Sequence, residues 1–172
     1  MNDVLTSLHS LLSGYFKNND NKLEEPSEGM SIPIEKGNLR YLSYTFDKNL
    51  RPKDFPKGLF PFLNKNEGVH SMCDYMLFCI HDHKLFILLA ELKHGKNGVM
   101  TQLNAGKCLA EFIVQTLNRL EDLSLRPEIR LIAVRNSHII NKRGTKMRDV
   151  EYDDHNFCTF EGNRFYLKEY LK

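Results

Sequence analysis

No run of apolar residues in this chain approaches the roughly 18 that a membrane-crossing helix requires, so no transmembrane helix is expected. The opening residues, Met1 to Leu5, lack the basic stretch that begins a signal peptide. Charge of one sign is missing too. The net charge is only +2, which removes the broadly basic signature of many nucleic-acid binders and leaves room only for a local contact surface. Cys73, Cys79, Cys108 and Cys158 never fall into Cys-x-x-Cys spacing; they read as reduced, small core residues of a cytoplasmic protein. Nor is there a nucleophile elbow, a phosphate loop, a histidine–acid constellation or an internal repeat. What remains is an ordinary globular composition, 41% hydrophobic and 27% charged over 172 residues, the size of a single domain spanning 1–172.

Val4, Leu5, Leu8, Leu11, Leu12, Tyr15 and Phe16 recur at helical spacing, which predicts an amphipathic helix over 4–16 with Asn2 or Asp3 as N-cap. Residues 17–29 are polar, and 18–30 reads as a flexible loop. The aromatic-rich run 39–46 predicts the first strand. Pro52, Pro56 and Pro61 keep 47–68 irregular, with the apolar patch 59–63 tucked against the core. A second helix is expected over 99–120, with Leu103, Gly106, Ala110, Ile113, Leu117 and Leu120 as its apolar stripe. Gly106 on that stripe implies a close approach to the sheet. A strand follows at 128–135, then an irregular basic stretch over 136–154, then a hairpin or a bent strand about Gly162-Asn163. The order predicts an α/β fold, a mixed sheet with helices on it.

The stretch 73–93 carries the chemistry. It reads as a hairpin, with Asp74–Ile80 and Leu85–Lys93 as strands joined through 81–84. If Asp82 and His83 form a two-residue turn, His81 pairs with Lys84 and the register sets Asp74 opposite Glu91. Alternation then puts Asp74, Glu91 and Lys93 on one face. Opposed residues lie about 4.5–5.5 Å apart at Cβ, a separation from which two carboxylates can share a divalent cation. The run 85–90 is apolar on both faces, so the strand is central and covered on both sides. Ionised groups at its end are costly unless paired or metal-bound. The plainer alternative is that two acids and a lysine end a buried hairpin by chance, Lys93 merely pairing with Glu91. His81-Asp82-His83 could offer zinc two imidazoles, but the tripeptide reads as a solvated turn and no cysteine pair accompanies it.

An Asp at the start of one strand and Glu-x-Lys on the next, followed by a helix and a strand, resembles the PD-(D/E)xK nuclease superfamily, the fold of many restriction endonucleases and Holliday-junction resolvases. The resemblance covers about 72–134, and the first helix fits its expected place. It implies a restriction-endonuclease-like core: a mixed central sheet flanked by helices in α-β-β-β-α-β order. It also implies that Asp74, Glu91 and the Leu92 carbonyl hold Mg²⁺ or Mn²⁺, and that Lys93 stands beside the attacked phosphate. Gln102, in the first turn of the next helix, is either part of the catalytic group or a solvated helix residue.

Two departures from the family pattern stand out. Cys73 replaces the proline, and the first helix carries no Glu, so a third acid would come from Glu24, Glu25, Glu28 or Glu67. His70 could reach the rim, and His94, Lys96 and Lys107 flank the site and could meet the phosphates of a nucleic acid. Lys142, Arg143, Lys146 and Arg148 form the densest basic cluster, read either as a nucleic-acid clamp or as a solvated loop balanced by Asp149, Glu151, Asp153 and Asp154. The implied function is metal-dependent hydrolysis of phosphodiester bonds, in DNA foremost, in restriction, phage defence or repair. So small a chain would act as a homodimer, as a structure-selective nuclease or as a subunit of a larger complex, with apolar residues near 59–62 or 165–171 as candidate interfaces. The alternative is a nuclease-fold binding or scaffold subunit without catalysis. The intact Asp74, Glu91 and Lys93 speak against it; the missing helix acid and near-neutral charge speak for it.

Overall fold

The first helix is started by a carboxylate and cut short by a hydroxyl. In the computed structural model, which describes residues 3–47, 53, 60, 62–63, 68–95, 97–136 and 150–172, α1 spans Val4–Leu11. Asp3 Oδ1 accepts from the Leu5 amide at 3.3 Å, satisfying an N–H that has no partner inside the helix. The helical spacing of apolar residues continues to Phe16, yet the helix does not. Ser13 Oγ accepts from the Tyr15 amide at 3.3 Å and tightens Gly14–Phe16 into a 3-10 turn, a competition for backbone that hydroxyl side chains win readily. Phe16 is buried all the same.

The stretch expected as a loop over 18–30 holds regular structure. β1 (Lys17–Asn18) and β2 (Lys22–Glu25) are followed by a 3-10 turn at Pro26–Glu28 and by β3 (Met30–Glu35). Leu23 is the one apolar residue of β2 and is fully buried opposite Ile32 of β3. That strand exists through pairing, so its own residues hardly announce it. β4 (Tyr41–Tyr44) lies inside the aromatic run expected as the first strand, and is the fourth.

β5 (Tyr75–His81) and β6 (Lys84–Leu92) form the hairpin, with His81 opposite Lys84. Asp82 and His83 have φ of +47° and +63°, the left-handed pair that a type I′ two-residue turn demands. α2 (Val99–Glu121) crosses over to β7 (Glu128–Asn136), which runs parallel to β6. β8 (Phe157–Gly162) runs parallel to β7. The chain then bends at Gly162 and leaves the large sheet. β9 (Phe165–Tyr166) pairs in parallel with β3, so the end is a bent strand and not a hairpin. The result is a mixed six-stranded sheet in the order β1-β4-β5-β6-β7-β8, and a three-stranded sheet β2-β3-β9.

Two apolar clusters lie on opposite faces of the large sheet. Met76, Phe78, Ile87 and Leu89 pack with Leu5 and Leu8 of α1 and with Leu103, Ala110, Ile113 and Leu117 of α2. Tyr75, Leu77, Leu88 and Ala90 pack with Leu23, Ile32 and Ile34 of the small sheet and with Phe165, Leu167 and Tyr170. Both helices therefore cover one face, and the small sheet covers the other. The C-terminal tail, expected as a candidate interface, is mostly interior: Phe165, Leu167, Tyr170 and Leu171 are all buried. Of the four free cysteines only Cys108 is exposed. Among the described residues no helix is long and apolar enough to cross a membrane.

Gly106 brings α2 against Cys73, just before β5, and against Leu89 of β6. A Cβ there would meet Cys73 Sγ at 2.5 Å, while Leu89 Cδ1 would be at 3.6 Å. Cys73 is buried and sits beside Asp74, so this contact seats the start of β5. Gly106→Ala is expected to destabilise the fold by about 1–3 kcal/mol through overpacking, despite the roughly 1 kcal/mol that alanine gains in helix propensity. Adding Cys73→Ala should restore stability, since the remaining contacts are of ordinary length. Urea denaturation of the two single variants and the double variant checks this, and additive effects would refute the contact.

Candidate functional site

Extending the β5–β6 pairing by one step beyond Tyr75 and Ala90 places Asp74 opposite Glu91. Met76, Phe78, Ile87 and Leu89 point to the helix side, so Asp74, Glu91 and Lys93 fall on that side by the period of two. Asp74 and Glu91, 7% and 3% exposed, are the two buried charged residues among those described. Each is held by the backbone of the opposite strand. Asp74 Oδ2 accepts from the Leu92 amide at 2.8 Å, and the Glu91 carboxylate accepts from the backbone of Asp74. Glu91 Oε2 is buried with no hydrogen-bond partner.

Leaving an ionised oxygen in that state is expensive, and the titration of Glu91 reflects it. Burial first, and then the charge of Asp74, push its carboxyl up from 4.5 to about 8, against the pull of the Asp74 backbone and the Lys93 ammonium. Asp47, just past β4, adds to the upward push. The neighbouring Cys73 thiol is pushed far above its ordinary range by burial and by both carboxylates. It packs and does not react.

Lys93 and Gln102 meet at Gly98, the residue that caps the start of α2. A Cβ at Gly98 would lie 3.6 Å from Lys93 Nζ and 3.7 Å from Gln102 Oε1, and its φ of +80° favours glycine. Gln102 Nε2 lies 3.5 Å from the Met72 carbonyl, which ties the first turn of α2 to the segment leading into Asp74. Asp74, Glu91, Lys93 and Gln102 therefore converge at one end of the central strands. The Leu92 amide faces β5 while the Lys93 amide donates to the Val134 carbonyl at 3.1 Å. Both polar groups of one strand residue point the same way, so the Leu92 carbonyl also turns toward Asp74.

Other expectations are redirected. Glu28 Oε2 accepts from the His94 amide at 3.1 Å, and His94 Nε2 lies 3.0 Å from the Glu28 carbonyl. The two hold each other, so His94 has a protein partner where a phosphate was expected and Glu28 is not a free third acid. Glu24 pairs with Lys22 at 3.0 Å, and Glu25 accepts from Ser27. Lys107 is exposed on α2, away from the residues that meet at Gly98. Both ring nitrogens of His70 are buried without a partner. Among the described residues no group of three His, Cys, Asp or Glu side chains could hold a metal ion, so two carboxylates and a carbonyl are the donor set on offer. Glu67, Lys96, Lys142, Arg143, Lys146 and Arg148 lie outside the described residues.

Sequence reading passed over Asp47, which follows the buried run Tyr44-Thr45-Phe46 as Glu91 follows Ala90. An acid ending an apolar strand was the available signal. Comparison with family models, with curated proteins and with solved structures returns no match.

The raised carboxyl of Glu91 gives the protein a pH signature. Its proton is held to about pH 8 in the folded chain and released near 4.5 in the unfolded one, so the folded state binds more protons in between. The corresponding stability is whole below about 4.5 and lost as pH rises through about 8. In EDTA, wild type should lose stability relative to Glu91→Gln across that window and level off above it. Denaturation midpoints that run parallel for the two proteins from pH 5 to 9 would refute the assignment.

Proposed function

We propose that the protein is a metal-dependent nuclease of PD-(D/E)xK type that hydrolyses phosphodiester bonds, with DNA as the expected substrate. One observation carries the reading: two buried carboxylates face each other with Lys93 on the same side, and one Glu91 oxygen has no partner. Buried ionisable groups with shifted titration at a convergent site are what functional chemistry requires and what a merely stable fold avoids. Along the large sheet the chain runs α1, then β1, β4, β5 and β6, then α2, then β7 and β8; setting aside the two-residue edge strand β1 and the last strand β8, this succession supports the α-β-β-β-α-β order that the resemblance implies.

Hard oxygen donors suit Mg²⁺ or Mn²⁺. Asp74, Glu91 and the Leu92 carbonyl would hold such an ion. Once bound, the ion supplies Lewis acidity toward the phosphate and a more acidic water. Glu91 must release its proton to bind, which makes loading favour higher pH. Lys93, held beside Gly98, offers a positive charge to the oxygens of a phosphate brought to the carboxylates, where charge grows during attack. Gln102 fixes the segment 72–74 from α2 and lines the same end of the sheet.

The second reading, a nuclease-fold binding or scaffold subunit, draws on the lack of a third acid among the described residues. A Mn²⁺ titration separates the two, since a degenerate site binds the ion poorly.

Cleavage of labelled single- and double-stranded DNA should require Mg²⁺ or Mn²⁺ and stop in EDTA. Asp74→Ala and Lys93→Ala should each lower the rate by at least about 100-fold, on the scale of losing one electrostatic stabiliser. Cutting that survives in both variants would place the activity elsewhere.

A further inference from the structure

β7 brings a second cation to the site from the neighbouring strand. In the parallel β6–β7 pairing, Glu91 lies beside Ala133 and Leu92 beside Val134. Leu131 and Ala133 belong to the helix-side cluster, while Ile132 and Val134 belong to the opposite one. Arg135 therefore rises on the helix side, the face of Asp74, Glu91 and Lys93. One step beyond the Leu92–Val134 pair, it stands level with Lys93 on a strand about 4.8 Å away.

The guanidinium is poorly satisfied where it sits. Its Nη1 is 3.9 Å from Oε1 of Glu161, the residue beside it on β8, which is beyond hydrogen-bond length. Its Nε is buried with no partner. Only about a quarter of the side chain is exposed. A planar fork of donors, with its Nε unspent and one carboxylate at ion-pair range, fits the paired oxygens of a phosphate better than any group the described residues offer it.

We propose that Arg135 is a phosphate-binding residue of this site, gripping a backbone phosphate of the nucleic acid beside Lys93, with Glu161 setting the orientation of its guanidinium. The proposal rests on the nuclease reading of Asp74, Glu91 and Lys93. Arg135 neutralises and positions the substrate, and Lys93 remains at the reacting phosphate. Two side chains on adjacent parallel strands make a rigid pair, so the phosphate is located by sheet geometry and not by a loop.

The test is fluorescence anisotropy with labelled DNA duplex, single-stranded DNA and single-stranded RNA in EDTA, across 50–200 mM KCl. Mn²⁺-dependent cleavage is followed in parallel, and thermal melts verify that each variant folds. Arg135→Ala should weaken binding about tenfold, as expected for one charge-assisted contact, and lower the salt slope by about one. Arg135→Lys should keep the slope and lose part of the affinity, because an ammonium cannot reproduce the fork. Arg135→Gln serves in place of Arg135→Ala should the latter unfold. In cleavage, KM should rise more than kcat falls. Wild-type affinity and slope in Arg135→Ala, alongside cleavage still lost in Asp74→Ala, would overturn the role of Arg135 and leave the nuclease reading standing. Wild type that neither binds nor cuts any of the three probes would overturn both.

Discussion

The two-residue turn at Asp82 and His83 sets the register of β5 against β6, and that register assigns every side chain of both strands to a face. Because strand side chains alternate, a slip of β5 by one residue would send Asp74 to the small-sheet side, away from Glu91, and turn Leu77 toward the helices. Both faces are covered, so a slip has no solvated face to escape to. A left-handed conformation at two consecutive non-glycine residues is itself mildly unfavourable, and the burial of the five consecutive pairs from Tyr75–Ala90 to Cys79–Phe86 outweighs it.

The same packing that secures the strands makes their acidic ends expensive. Asp74 and Glu91 sit where the apolar sheet stops, close enough to water to be reached and too buried to be solvated. Each leans on the backbone of the facing strand, Asp74 on Leu92 and Glu91 on Asp74, and the leftover cost appears in the titration of Glu91. A cation placed there would relieve burial and repulsion together. Fold and site are thus coupled through Cys73 and Gly106: the helix that covers the core also seats the strand end that carries the first acid.

Much of this could be read from the residue pattern. The hairpin, the second helix, the strand over 128–135 and the close contact at Gly106 all rest on short-range periodicity, which local sequence encodes directly. β2, and the pairing of β9 with β3, could not be read that way. Leu23 alone on a polar strand, and Phe165-Tyr166 in a tail, become strands only through partners elsewhere in the chain. The end of α1 misled for a different reason, since Ser13 draws the backbone into a tighter turn while Phe16 still reaches the core. The site divides in the same manner: the opposition of Asp74 and Glu91 follows from counting along one hairpin, whereas Asp47, Arg135 and the Glu28–His94 contact come from separate segments.

By itself the chain's sequence determined the hairpin, the second helix and the strand after it, with their faces, because a two-residue turn and periodic side chains act over a few residues. It determined too which carboxylates would confront each other. Only the tertiary structure decided the degree of their burial, the orphaned oxygen of Glu91, the meeting of Lys93 with Gln102 at Gly98, and the arrival of Arg135 beside them. Those depend on a parallel crossover and on packing between layers, where desolvation and charge act through space and sequence distance carries no weight.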